Sequence, residues 1–308
     1  MGGQRARRAV QYGSAVRVGV VILPEHPWPE ARELWLRAEA LGVDHVWTYD
    51  HLSWRSLRDG PWHEAVATLA AAAVVTERVR LGPLVASPNF RHPVPFAREL
   101  ITLDDLSGGR LVLGIGAGGL GWDATTLGHE AWSPRERADR FEEFVILTDL
   151  LLRQPVTTWS GRYYAAHEAR SAPGCRQQPR LPFAVAAAGP RSRRLAAEHG
   201  QWWVTVGERD RPEPATVEES VAYVAREVEA VEATCAEVGR DPTTLDRMVV
   251  TGLNQESGLG SAEELTDTLG RYQSVGITDV VVHWPRPGPP YQGDEAHFEA
   301  VVGAVCGS

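Results

Sequence analysis

Asp50 and His51 set a carboxylate beside an imidazole just after the apolar run Val46-Trp47-Thr48, with Trp54 close behind. Imidazoles exchange protons near neutral pH and a neighbouring carboxylate can hold their orientation, so the pair has the make-up of an acid–base unit. A helix-capping aspartate beside a structural histidine would use the same two residues. A second chemical stretch is Gly109-Arg110-Leu111-Val112-Leu113-Gly114-Ile115-Gly116-Ala117-Gly118-Gly119, an apolar run that breaks into glycines. Gly114, Gly116 and Gly119 satisfy G-x-G-x-x-G, the pattern with which backbone N–H groups approach a pyrophosphate. The third is Ala188-Gly189-Pro190-Arg191-Ser192, where a strand gives way to a helix. Free N–H groups and the helix dipole favour an anion there, and Arg191 adds charge, although an ordinary capped helix reads the same way. His283 and Trp284 end the last apolar run and, with Trp54, are candidates for a substrate pocket.

The elements that must position these residues alternate. Residues 16–23 are valine-rich with little polar alternation, as in a parallel strand covered on both faces, and Pro24 stops them. A helix from Pro29 to Leu41 is closed by Gly42, and 44–48 is a second strand. The unit repeats with a helix at 64–75, a strand at 79–85, a helix at 93–106 and a strand at 110–115. Ser133-Pro134-Arg135-Glu136 is a capping box with proline at the first helical position, and it opens a helix through Leu151. That helix starts well after Gly119, whereas a Rossmann fingerprint opens its helix directly, so the glycine run fails as a dinucleotide motif.

Residues 155–182 lose periodicity and predict an insertion or hairpin, a candidate lid. Strands then follow at 183–187, 202–206, 245–251 and 277–283, with helices at 191–199, 218–238, 262–272 and 295–305. About eight strand–helix pairs predict an α/β fold, a (β/α)8 TIM barrel. It is expected as one domain over 15–308, preceded by a disordered segment at 1–14.

Bulk properties narrow the partners. The 308 residues carry a formal net charge of −9 with a pI near 5.6, which repels nucleic acid and anionic membranes at long range. No apolar run approaches the roughly 18 residues of a membrane span. Cys175, Cys235 and Cys306 are odd in number and lack ligand spacing, which predicts no metal site and a reducing cytoplasm.

Taken together, Val43-Asp44-His45-Val46-Trp47-Thr48-Tyr49-Asp50-His51-Leu52, the stretch ending Phe90-Arg91-His92-Pro93, Leu106-Ser107-Gly108-Gly109-Arg110, Trp159-Ser160-Gly161-Arg162-Tyr163-Tyr164 and Ala187-Ala188-Gly189-Pro190-Arg191-Ser192 resemble the bacterial luciferase-like superfamily. Its members are barrels that bind FMN or the deazaflavin coenzyme F420. The resemblance implies that Gly116, Ala117 and Gly118 offer amides to the cofactor and that Ala188, Gly189, Arg191 and Ser192 clamp its phosphate. It places Leu84–Val85 at a non-prolyl cis peptide pressed against the ring. It gives His51 the proton work of a hydride transfer, with Asp50 orienting it, and F420 is favoured over FMN because F420-using relatives frequently carry that pair. Sugar-phosphate dehydrogenases of the family have a glutamate where this chain has Gly119, so a neutral small organic substrate is expected instead. The resemblance further implies a homodimer. The competing readings are an FMN-dependent monooxygenase, fed by a separate reductase, and a cofactor-binding protein without turnover.

Overall fold

The structure, a computed structural model, describes residues 16–119, 122–209, 211 and 213–307. The segment 1–14 lies outside the described residues. In chain order the elements are β1 (Arg17–Val21), α1 (Trp28–Ala40), β2 (His45–Thr48), α2 (Ala65–Val75), β3 (Arg80–Pro83), α3 (Pro93–Leu106), β4 (Leu113–Ile115), α4 (Trp122–Thr126) and α5 (Pro134–Arg153). They continue with β5 (Val156–Ser160), β6 (Ala165–Arg170), β7 (Phe183–Ala186), α6 (Pro190–His199), β8 (Trp202–Thr205), α7 (Val217–Glu237), β9 (Asp246–Val250), α8 (Ala262–Ser274), β10 (Asp279–His283) and α9 (Glu295–Cys306).

Eight parallel strands run in the order β3-β2-β1-β10-β9-β8-β7-β4. The bridges Leu81 to Leu111 and Ala86 to Ile115 bring β3 against β4 and close the ring. The result is the expected (β/α)8 barrel. Strand alternation sorts the side chains into two layers. Val18, Val20 and Ile22 of the first strand face the helices, whereas Val21 and Leu23 join Trp47, Leu84, Met248 and Val281 inside the barrel. Gly19 also faces inward, where a Cβ would lie 2.0 Å from the His45 ring, so only glycine admits that imidazole.

The amino-terminal end of the barrel is plugged by a polar cluster. Asp279, fully buried, accepts from Arg17 Nε at 2.7 Å, Arg17 Nη2 at 2.7 Å, His45 Nε2 at 3.1 Å and Trp202 Nε1 at 3.1 Å. Trp47 Nε1 donates to His45 Nδ1 at 2.7 Å, which fixes the imidazole as its Nε2–H tautomer. Burial pushes the Asp279 carboxyl up, but Arg17 and His45 more than reverse this and hold it well below the usual carboxylate range.

Two expectations need correction. The insertion at 155–182 is an antiparallel hairpin of β5 and β6, but it lies along α5 and is no lid over the barrel. Its tip is held by Glu143, which accepts from Trp159 Nε1 and from the backbone amides of Arg162, Tyr163 and Tyr164 at 2.9–3.1 Å. In addition, the short helix α4 follows Gly119 by a few residues, well ahead of the Ser133 cap. The glycine run is still no Rossmann turn, because its strand belongs to a closed barrel.

Candidate active site

At the carboxyl end of β2 successive residues point to opposite sides of the barrel wall. Tyr49 turns inward with Trp47, and Asp50 turns outward toward the helices. Asp50, 1% exposed, takes a two-point contact from Arg91, Nη2 to Oδ1 at 2.6 Å and Nε to Oδ2 at 3.1 Å. Arg91 also meets Glu64 and Glu99, tying the strand end to α2 and α3. Burial lifts the Asp50 carboxyl and the Arg91 fork opposes that lift. The two short contacts make the ion pair the state that satisfies both partners. Asp50 therefore does not orient His51. Asp50→Ala should lower stability by about 1–3 kcal/mol, because it removes the two-point buried contact and leaves Arg91 with Glu64 and Glu99. An unchanged urea midpoint would show that the pair holds nothing.

The carboxylate on His51 belongs to Asp123. His51 Nδ1–H donates to Asp123 Oδ2 at 2.8 Å, while Asp123 Oδ1 accepts from Leu52 N at 2.8 Å. A carboxylate only accepts, so the proton sits on Nδ1 and the lone pair of Nε2 is presented elsewhere. The His51 side chain is 19% exposed, which leaves that face reachable. Asp123 was missed because it lies 72 residues away on α4. Its only sequence signal is the pair Trp122-Asp123 just past the glycines.

His283 and Trp54 come to the same place through Tyr49. Ring centroids lie 6.2 Å from Tyr49 to His51, 5.1 Å to Trp54 and 5.8 Å to His283. His283 Nδ1–H donates to the Thr251 carbonyl at 2.8 Å, so its Nε2 accepts from the Tyr49 hydroxyl at 2.9 Å. Burial drives the His283 imidazole down to about 3, against the pull of Thr251, and it stays neutral. Trp284 is the second correction. The next residue along β10, it points outward and packs between Phe298 of α9 and Arg37, away from the pocket.

The proposed cofactor residues divide similarly. The Leu84–Val85 peptide is cis, and Val85 rests against Gly116, where a Cβ would come within 2.7 Å of it. The Gly116 amide is not free for a ligand, since it donates to the Ala86 carbonyl at 2.9 Å. The amides of Ala117 and Gly118 bond to no other described residue, and Gly118 takes φ +74° beside Asn89. Ala188 and Gly189 are exposed before α6, with Gly189 at its N-cap and Ser192 Oγ donating to the Gly189 carbonyl. Arg191 is spoken for by Asp139 at 2.6 Å and Glu142 at 2.5 Å. Arg193 is the better-placed cation. It donates to the Ala188 carbonyl, and its buried Nε has no partner among the described residues.

A strand-end imidazole with an oriented tautomer, next to a glycine-lined cradle, sits where barrels of this kind place their chemistry. Among curated proteins, an F420-dependent glucose-6-phosphate dehydrogenase of Intrasporangium calvum is 33% identical over 231 residues, 74% of this chain and 66% of the relative. A 4-hydroxyprotoasukamycin monooxygenase of Streptomyces nodosus subsp. asukaensis is 29% identical over 89% of this chain and 72% of its own. The chain spans between 50% and 71% of the length of the F420-dependent glucose-6-phosphate dehydrogenases it matches. The solved structure of an F420-dependent secondary alcohol dehydrogenase, in complex with an F420-acetone adduct, has a TM-score of 0.78 at 18% identity. It covers 95% of this chain and 98% of that one, a likeness of fold. The model of the luciferase-like monooxygenase family matches residues 11–253, and the chain belongs to that family.

Proposed function

We propose that the protein is an oxidoreductase that exchanges a hydride between coenzyme F420 and a small organic alcohol or carbonyl compound. The observation that carries this reading is the His51–Asp123 pair, with Asp123 on the helix that follows the glycine cradle. The F420-dependent relatives support the choice of cofactor. The residues present fit such a group. Ala117 and Gly118 would meet it with free amides, Val85 and Gly116 would form the surface under its ring, and the α6 start with Ser192 and Arg193 would hold its phosphate.

When bound, the deazaflavin supplies a hydride acceptor or donor at ring carbon C5. His51 then handles the proton. In alcohol oxidation Nε2 would accept the O–H proton, and in carbonyl reduction Nε2–H would return a proton to the oxygen. Asp123 takes the Nδ1 proton and so leaves Nε2 as the accepting atom of the ring.

Sugar phosphate stands in the names of several relatives, but Gly119 has no side chain to serve as an acid, which favours a different, uncharged substrate. The asukamycin-type monooxygenase relative keeps an FMN-dependent reading as the second one. Parallel fluorescence titrations with F420 and FMN decide between them. We expect F420 to bind, and tight binding of FMN with none of F420 would overturn the choice. The strand–helix count carries the reading of one barrel domain over 15–308 and the cysteine pattern that of a cytoplasmic protein, while family resemblance alone carries a homodimer and, on the FMN reading, a separate reductase. Among the described residues no helix is long and apolar enough to cross a membrane.

A further inference from the structure

Tyr291 lies in the loop after the last strand, outside every motif by which the family was recognised. Its backbone takes φ +67°, a conformation that a bulky residue adopts only when its surroundings enforce it. Those surroundings are specific. The ring stacks on His283 with centroids 3.6 Å apart and planes 5° from parallel. The Tyr291 hydroxyl lies 2.9 Å from that of Tyr49. Because Tyr49 donates its one proton to His283 Nε2, Tyr291 must donate to Tyr49, so the three groups form a chain of fixed direction ending at the Thr251 carbonyl. The chain ends on a backbone carbonyl, which takes up no proton, so it positions a ring and does not relay charge.

The loop that carries Tyr291 is braced in turn. Arg286 bonds Glu25 through both Nε and Nη2, at 2.9 and 2.8 Å, and donates to the carbonyls of Gly288 and Pro289. Tyr291 also lies near-parallel to Trp54, which stacks on Trp62, and Trp62 Nε1 donates to the His51 carbonyl at 2.8 Å. Among the hydrophobic side chains that pack, partly exposed, against the barrel's inner core are Trp62, Val85, Leu253 and Tyr291. Of the nearby cations, Arg91 and Arg286 are paired with carboxylates, and exposed Arg55 lies against Trp54.

We infer that Tyr291 is the specificity-determining wall of the site: locked by Tyr49 and His283, it closes an aromatic box that brings an uncharged, apolar carbonyl or alcohol to His51 and sets the size it admits. This rests on the hydride-transfer reading above and names the substrate class for it. Aromatic walls favour flat apolar surface, and a phosphate seated among them would lose its water with exposed Arg55 as its cation.

The test uses purified full-length protein and three ketone or sugar probes: cyclohexanone, 2-acetylnaphthalene and glucose 6-phosphate. Their binding is read by quenching of tryptophan fluorescence and by calorimetry, with and without F420. Wild type should bind cyclohexanone and show no saturable binding of glucose 6-phosphate. Tyr291→Ala should shift the ratio of affinities toward 2-acetylnaphthalene by about tenfold, the scale on which pockets discriminate size. Tyr291→Phe and Tyr49→Phe each break the hydroxyl contact that locks the wall, so both should move the preference partway. Circular dichroism checks that each variant folds. A wild type that prefers glucose 6-phosphate, or a folded Tyr291→Ala with an unchanged ratio, overturns the inference. The F420 titration separates this from failure of the parent reading: absent F420 binding removes the cofactor, while ketone binding still reads the box.

Discussion

His51→Ala should lower turnover by about 10²–10⁴-fold, the range for removing a general acid–base group, while the affinity for F420 changes little and the melting temperature holds. The expectation follows from the tautomer. Asp123 takes the Nδ1 proton, so Nε2 is the atom left to accept from an alcohol or return a proton to a carbonyl oxygen. Asp123 acts through His51 and is a positioning residue. Asp123→Ala should cut kcat roughly tenfold, about 1.4 kcal/mol in the barrier, and Asp123→Glu should recover part of it with cofactor affinity unchanged throughout. A His51→Ala enzyme that turns over normally with saturating cofactor would remove the proton role. If Asp123→Ala weakened F420 binding and left kcat alone, the carboxylate would be a loop tie only.

The second large effect lies at the other end of the barrel. Asp279→Ala should destabilise the fold by about 3–5 kcal/mol, the scale for breaking a buried ion pair. Removal of the carboxylate strands the His45 Nε2–H and the Trp202 indole N–H and leaves Arg17 with Asp246 alone. The pH dependence has a definite sign. Asp279 is held below its unfolded value, so its contribution is complete above about pH 4. It is lost progressively as the pH falls below that, through the lower folded value. Urea midpoints across pH 7 to 3 should therefore converge between wild type and Asp279→Ala. Parallel curves at a constant offset would mean that the loss is one of packing.

The fold was legible because its information is local. Valine-rich runs marked the strands, and Ser133 with Pro134, the helix closed by Gly42 and the 93–106 helix sat where the periodicity placed them, with α3 matching at both ends. The cradle was legible in part. Gly118 is free as expected, whereas Gly116 turned out to be committed to closing the ring. The errors share one cause. Asp50 and Trp284 each adjoin a residue on the right face of a strand, and alternation sends the neighbour to the other side of the wall. Asp123, Tyr49 and Tyr291 were missed because their partners lie far away in sequence, with Tyr49 and Tyr291 separated by 242 residues. Spacing along the chain cannot report such pairs; closure of the barrel creates them.

The hairpin of β5 and β6 offers one practical lesson. Its tip hangs on Glu143 and on Tyr164, which is buried against His92 and Phe144. Insertions between Ser160 and Ala165 would therefore pull a core side chain out of place, and an engineer who wants a handle on this flank must leave 161–164 intact.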